Sequence, residues 1–357
     1  MKIAICTYFN RFTVKHNVFF PIYRWRHLFS AKGVSIDFVK SFKAERFAGY
    51  DAVIIHDRYF RAINGFSKIN ERVVFSKQQF IDFMCTLRQS GQKVVLYDGA
   101  DPGGCLFFEF IPFVDRLVKK QIYKDPQKYV ENNKSLSVRP YADNPDYFVH
   151  DDYVPCPPEH LHKIGIAWNI GLTDLRRGEG IRGMLNNFWF QDYDAKPIPY
   201  KQKNLVTSFR GTGTGKKTKS SQRNRLIEIL KGMNMPGVIT GSPINFKEYI
   251  KELGNCKALV SPFGGGELCY RDFEIFAQQS LLIKPDVSHL LTYPDCFKEN
   301  ETYLPVQWDL NDLEQKLEDV LKHPNDYGDI AMGGYKTFLS EYNNGDSFVG
   351  HFMEMVK

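Results

Sequence analysis

The sequence predicts an α/β protein built from two Rossmann-like domains. Apolar runs of strand length alternate with amphipathic stretches of helix length, the pattern of a parallel sheet with crossover helices. Residues 258–286 form a compact strand, glycine turn, helix and strand unit of the same kind. The 357 residues, 43% hydrophobic and 25% charged, are enough for two full-sized cores. The expected division is a first domain over 1–195, a second over 196–335 and a closing helical segment over 336–357.

The first domain is legible strand by strand. Residues 2–7 are an apolar run, too short and too polar at its flanks for a signal peptide, and predict a strand. Residues 17–32 carry Phe19, Phe20, Tyr23, Trp25 and Phe29 at helical spacing and stop at Gly33. Residues 34–39 alternate as a second strand, and 51–55 are a third. Residues 76–89 are an amphipathic helix capped by Ser76, and 93–98 a fourth strand. Open α/β sheets bind ligands outside the carboxyl ends of their strands. Asp98 and Asp101, in Asp98-Gly99-Ala100-Asp101-Pro102-Gly103-Gly104, are therefore candidate site residues, as is Asp57 after the third strand. The plainer alternative is that Asp and Gly only supply turn geometry.

Residues 108–124 carry Phe110, Phe113, Val114, Leu117 and Val118 at helical spacing and contain Lys119-Lys120. A helix with a core stripe and a wet face fits. A basic, aromatic stretch also suits peripheral contact with a membrane or a lipid-linked acceptor. Residues 132–160 have no clean period and predict an extended passage. Residues 163–169 are a further strand ending at Asn169. Asp192-Tyr193-Asp194 follows no hydrophobic strand and precedes Lys196-Pro197, which fits a linker turn better than a metal-holding pair.

Residues 204–210 open the second domain as a strand. Gly211, Gly213 and Gly215 follow, before Lys216-Lys217. A phosphate-gripping P-loop would need glycine at 210 and a hydroxyl residue at 217, where Arg210 and Lys217 stand. A dinucleotide fingerprint fails for want of its third glycine. What remains is a basic loop in which the planar fork of Arg210 can grip two phosphate oxygens, with Lys216 beside it. For the lysines a merely solvated loop is the alternative.

Residues 221–231 (helix), 238–241 (strand) and 245–253 (helix) lead to the glycine unit. Ala258-Leu259-Val260 suits a buried strand, which Ser261-Pro262 ends because proline cannot donate to a ladder. Gly264, Gly265 and Gly266 carry no Cβ to keep a ligand from the backbone. A helical pattern then spans 267–279, with Phe273, Phe276 and Ala277 on one face, and residues 281–283 are the next strand. A helix N-terminus behind such a turn suits an anion. Glu267, Arg271 and Glu274 share a face, where a carboxylate can take ribose hydroxyls; an ordinary solvated salt-bridge network is the alternative. Residues 302–306 predict a strand, 310–321 an amphipathic helix with Leu313, Leu317 and Val320, and 326–357 more helix.

The residues Ser261-Pro262-Phe263-Gly264-Gly265-Gly266-Glu267, Arg271-Asp272-Phe273-Glu274 and Lys284-Pro285-Asp286 resemble the nucleotide-sugar site of GT-B glycosyltransferases. Glu301-Thr302-Tyr303-Leu304-Pro305-Val306 and Trp308-Asp309 fit as well. The chain is particularly similar to bacterial and viral polysaccharide enzymes of the exostosin-like and family-1-like groups. The likeness runs over about 204–352 and is weaker over the first half. It implies two Rossmann-like domains facing across a cleft, with the last helix crossing back to the first domain. It implies metal-independent transfer of a sugar from a nucleotide diphosphate sugar to a hydroxyl of a glycan acceptor, in polysaccharide or glycoprotein glycan synthesis, with no cofactor beyond the donor. By the same likeness Glu274 holds the donor ribose, and Gly264, Gly265 and Gly266, beside Glu267, lie against the diphosphate and sugar. Arg210, Lys216 and Arg271 would neutralise the leaving diphosphate. Asn169 follows Trp168 where the family tends to carry Trp-Asn. An inverting enzyme needs a base on the other domain, for which Asp101 is the candidate. Many retaining members carry two glutamates eight positions apart. Here the position eight before Glu274 is Gly266, so the anomeric outcome stays open.

Composition bounds the rest. Seven cysteines without a CxxC pair fit reduced thiols and a cytoplasmic setting. His160-Leu161-His162 lacks cysteine partners, so no metal site is expected. No apolar run approaches the ~20 residues that span a bilayer. The net charge of +6 is concentrated over 201–225, which holds eight basic residues and no acidic one; the other 39 basic residues face 41 acidic ones. A short, glycine-broken basic tract favours a small phosphate ligand over a long duplex, so no nucleic acid is expected as partner. Two rivals remain. One is a non-catalytic phosphoglycan- or nucleic-acid-binding module using that tract, with steeply salt-dependent affinity. The other is a sugar-nucleotide epimerase, which would convert its substrate without an acceptor.

Overall fold

The computed structural model describes residues 1–7, 18–60, 76–132, 153–169, 197–211 and 221–357. Lys216, Gly213, Gly215 and the Asp192 and Asp194 pair lie outside the described residues.

The first half is built on a six-stranded sheet. Its strands are β1 (Lys2–Cys6), β2 (Ser35–Val39), β3 (Ala52–His56), β4 (Lys93–Asp98), β5 (Arg116–Lys119) and, beyond the short β6 (Gln121–Tyr123), β7 (Ile164–Ile166). The order is β2-β1-β3-β4-β5-β7, and every neighbour is parallel. Parallel sheets are covered on both faces. Accordingly Ala4, Cys6, Val53 and Ile55 enter one apolar cluster, while Ile3, Ile5, Ala52 and Ile54 enter another.

Four helices accompany these strands: α1 (Phe20–Arg24), α2 (Arg26–Ala31), the short α3 (Asp57–Phe60) and α4 (Lys77–Gln89). α4 begins as the sequence predicts, with Ser76 and Gln79 closing a reciprocal capping box. The single helix expected over 17–32 is broken at Trp25. There Arg24 reaches out to donate to the Tyr342 carbonyl oxygen and to Asn343 Oδ1, both at 2.7 Å.

The stretch 108–124 is not a helix. It is a 3-10 turn over Phe108–Phe113, which contains Pro112, followed by β5 and β6. Proline inside a helix removes a donor and clashes with the preceding turn, and tertiary pairing to β4 takes the rest. Lys119 and Lys120 are buried, so those two lysines do not form a basic surface, while Lys124 is exposed.

The second half carries α5 (Ser221–Gly232), α6 (Phe246–Asn255), α7 (Tyr270–Ala277), α8 (Leu313–Lys322), α9 (Gly328–Asn343) and α10 (Gly345–Val356). Its parallel strands are β8 (Thr207–Arg210) with β9 (Val238–Gly241), and β10 (Ala258–Val260), β11 (Leu281–Pro285) and β13 (Tyr303–Val306) in that order. The two groups join where Lys257 and Ala258 N–H donate to the Leu205 and Val206 carbonyls at 2.9 and 3.0 Å. β12 (Leu290–Thr292), not foreseen from the sequence, pairs antiparallel with β6 of the first half. α10 returns to the first half: Phe348, Val349 and Phe352 share a cluster with Ile3, Ile5, Phe29 and Trp168. Among the described residues no helix is long and apolar enough to cross a membrane. All seven cysteines are free thiols.

Candidate active site

The site is built where loops at the carboxyl ends of the two parallel sheets touch. On the first half, β4 runs out into residues 99–104. That loop is clamped from beneath by three consecutive buried residues. Lys119 Nζ lies 2.6 Å from Asp98 Oδ2, Lys120 Nζ lies 2.5 Å from Asp101 Oδ1, and the Gln121 amide donates to the Asp101 carbonyl. Gly99 N–H donates to Asp57 Oδ1 at 3.0 Å. Asp98 and Asp57 are wholly buried, so both hold the loop rather than face a substrate. Asp101 is different: its side chain keeps 46% exposure.

On the second half the turn after β10 lies directly against this loop. A Cβ on Gly265 would sit 3.1 Å from Asp101 Oδ2, and one on Gly266 would collide with the Asp101 carbonyl group. The missing side chains thus admit Asp101 of the first half, its side chain at 265 and its backbone at 266, where a ligand was expected. Gly264 differs again, since its Cβ would point toward Arg223 Nη2, 3.6 Å away. Glu267, 1% exposed, accepts from Gly103 N–H at 3.0 Å through Oε2, while Oε1 has no hydrogen-bond partner. Burial pushes its carboxyl up to about 7, against the opposing pull of hydrogen bonds and of Lys119 and Lys284. Glu267 precedes α7, so it shares no helix face with Arg271 and Glu274.

α7 starts three residues later than its pattern predicts because Asp272 caps it. Asp272 Oδ2 accepts from Cys269 N–H at 2.9 Å, its carboxylate pairs with buried Lys284 at 3.1 Å, and Ser261 Oγ donates to Oδ1. The positive end of this helix is therefore satisfied from within, by a carboxylate of its own first turn.

The remaining expected residues gather at the carboxyl ends of β8 and β10, but their cations are engaged. Arg271 donates from Nε to the Val260 carbonyl (3.0 Å), from Nη1 to Tyr249 Oη (3.0 Å) and from Nη2 to the Ser208 carbonyl (2.8 Å). Arg210 grips Glu252 through Nε at 3.0 Å and Nη2 at 2.5 Å. Its fork holds a carboxylate of this chain, where a donor phosphate was expected. Glu274 accepts from Tyr249 Oη at 3.0 Å through one oxygen, and burial raises its pKa. Asn169 is buried and joins the halves, its Nδ2 donating to the Pro294 carbonyl at 3.0 Å. Lys203 leaves the basic tract altogether: buried, and pushed down to about 8 by desolvation, it donates to the Gly254 and Gln278 carbonyls.

Sequence reasoning missed Tyr249, Glu252, Lys120 and Arg223. Tyr249 and Glu252 sit three apart on α6, a spacing that puts them on one face. That signal was readable, but their partners lie on β8 and α7. Among the described residues no group of three or more His, Cys, Asp and Glu side chains is placed to hold a metal ion.

No family model matches the chain, and no curated protein matches it. Solved structures similar to it include a glycosyltransferase from Rickettsia africae, at 10% identity over 100% of this chain and 98% of that one, with a TM-score of 0.49. HepE of Anabaena, solved with UDP-glucose, is 8% identical over 99% of this chain and 98% of its own, with a TM-score of 0.44. TarM is 8% identical over 86% of this chain, with a TM-score of 0.44; the chain spans about half of TarM's length, 54%.

Proposed function

We propose that this protein is a GT-B-type glycosyltransferase that moves a sugar from a nucleotide diphosphate sugar to a hydroxyl of a glycan acceptor. The observation that carries this reading is the meeting of two parallel sheets by their carboxyl-end loops, 99–104 against 261–267. Such ends are where open α/β sheets bind ligands, and two of them facing each other give one substrate to each half. The carboxyl-end cluster of the second half supports a donor there. Glu274 is held by Tyr249 through one oxygen, which leaves the other for a ribose hydroxyl. Asp101, half exposed beside the glycine turn, serves as the base in an inverting reaction. The acceptor oxygen bonds to the sugar's anomeric carbon as the bond to the diphosphate breaks, and the acceptor proton passes to Asp101. Neither a metal nor a redox cofactor enters this scheme.

A thermal-shift panel of UDP-glucose and other UDP-, GDP-, CMP- and dTDP-sugars tests the reading. A ligand at 100 times its dissociation constant adds about 2.7 kcal/mol of apparent stability. We expect one nucleotide class to raise the melting temperature and Glu274→Gln to abolish that rise. No response to any of them overturns the assignment. Conversion of the sugar nucleotide with no acceptor present would point to an epimerase instead.

A further inference from the structure

Asp101 stands on a loop whose backbone is tied down on both sides of it. Gly99 N–H is held by Asp57, the Asp101 carbonyl by the Gln121 amide, the Gly103 N–H by Glu267 and the Gly103 carbonyl by Tyr129 Oη. Such a frame leaves the Asp101 side chain free to rotate, and Lys120 removes that freedom. Its Nζ lies 2.5 Å from Asp101 Oδ1, with 4% of the lysine side chain exposed against 46% of the aspartate's. Resting on the glycosyltransferase reading, we propose that Lys120 is a positioning residue for the transfer reaction, holding Asp101 by one oxygen so that the other takes the acceptor's proton.

The topology makes the pair. β4 and β5 are parallel neighbours, with Asp98 in register with Lys119, so the segments that leave the two strands emerge side by side. Lys119 meets the last residue of β4, and Lys120, one residue on, meets the loop beyond it. The cation thus lies hidden behind a carboxylate that meets solvent. A charge-assisted bond at this distance fixes the carboxylate plane. A positive charge beside it also favours the ionised form, which is the form that accepts a proton. Asp101 Oδ2 is left at the seam between the halves, 3.1 Å from where a Cβ on Gly265 would lie. The acceptor O–H proton passes to Oδ2 as the new C–O bond forms, while Oδ1 keeps its bond to Lys120. Water then takes the proton from the exposed side, which restores the ion pair.

Steady-state turnover of the full chain tests this, read as release of nucleoside diphosphate from UDP-, GDP- and dTDP-glucose with methyl glycosides as acceptors. Lys120→Met removes the charge and keeps an apolar stem. It strands no buried charge, because Asp101 is half exposed to water. It should lower kcat about 10- to 100-fold, the cost of a misplaced group, and leave the KM for the sugar nucleotide within about twofold. Lys120→Arg should recover part of the loss. In an Asp101→Asn background Lys120→Met should change kcat by less than about threefold, since a residue that works through Asp101 then has nothing left to hold. An unchanged kcat in Lys120→Met, or the full loss repeated in the Asp101→Asn background, overturns the role of Lys120 while the glycosyltransferase reading stands. A KM that worsens as much as kcat also overturns it, by showing that the residue only supports the shape of the site. Full activity of Asp101→Asn removes Asp101 as the base and Lys120 with it. Absence of turnover by the wild type overturns the reading on which the inference rests.

Discussion

Glu267 is a carboxyl that the fold holds under strain of burial: it is almost wholly hidden, its one partner is the Gly103 amide, and its pKa is pushed up to about 7. An unfolded glutamate titrates near 4.5. The folded protein therefore binds the proton more tightly than the unfolded chain, and ionising Glu267 weakens the fold. Its contribution is fully present below about pH 4, is lost as pH rises to about 7, and is constant above that. The difference amounts to about 3 kcal/mol. Glu267→Gln keeps an oxygen for Gly103 and has no proton to lose. The variant should match the wild type near pH 4.5 and exceed its stability by about 3 kcal/mol at pH 8, measured by urea denaturation at both values. Equal stabilities at pH 8 would show that the carboxyl is not raised. Arg271 teaches the complementary lesson. Its position in the sequence pointed to phosphate, yet its three acceptors all belong to this chain, and no spacing rule reveals which acceptors a long side chain will find.

At the scale of elements, α7 shows why the glycine unit was legible as a unit but not in its boundaries. The order strand, turn, helix, strand follows from local signals: an apolar run, a proline, three glycines, then a 3.6-residue period. The start of the helix follows instead from Asp272, whose carboxylate is fixed by Lys284 on β11 and Ser261 after β10. Both partners are 0% exposed. Breaking a buried pair leaves one charge unmatched, at a cost of about 3–5 kcal/mol, whereas replacing the pair by apolar groups is often neutral. Asp272→Asn should therefore destabilise the protein by about that amount, and adding Lys284→Met should restore at least half, read from denaturation midpoints. A single substitution costing under about 1 kcal/mol would mean that the pair is dispensable. The 108–124 stretch went wrong for a related reason. Its apolar residues fit a helical period, but Pro112 and the ladder with β4 decided the matter, and tertiary pairing overrides local propensity.

At the scale of the molecule, the family likeness implied that the last helix crosses back to the first half, as α10 does, but local sequence signals withheld the individual contacts that tie the halves together. Those contacts join residues far apart in the chain: Glu267 with Gly103 across 164 positions, Arg24 with Tyr342 across 318. Periodicity is a local signal and carries no information on such pairs. β12 is three residues long and exists because β6 offers it a ladder. One apolar cluster also includes Ala4, Val53 and Leu96 of the first half with Leu259, Phe273 and Tyr303 of the second. Two domains joined by a small polar interface would melt separately; halves sharing a strand pair and a core cluster should not. Calorimetry should thus give a single transition in which Trp25 and Trp168, on the first half, and Trp308, on the second, change fluorescence together. Phe352 tests the coupling. It is fully buried, lies on α10 at the end of the chain, and packs on Phe29 with ring centroids 5.1 Å apart and on Trp168 at 5.9 Å. Phe352→Ala leaves a large cavity and should cost about 3–5 kcal/mol. If the halves are one cooperative unit, the whole transition moves down in temperature. A new early transition confined to one half, with Trp308 reporting an unchanged midpoint, would show that they fold independently.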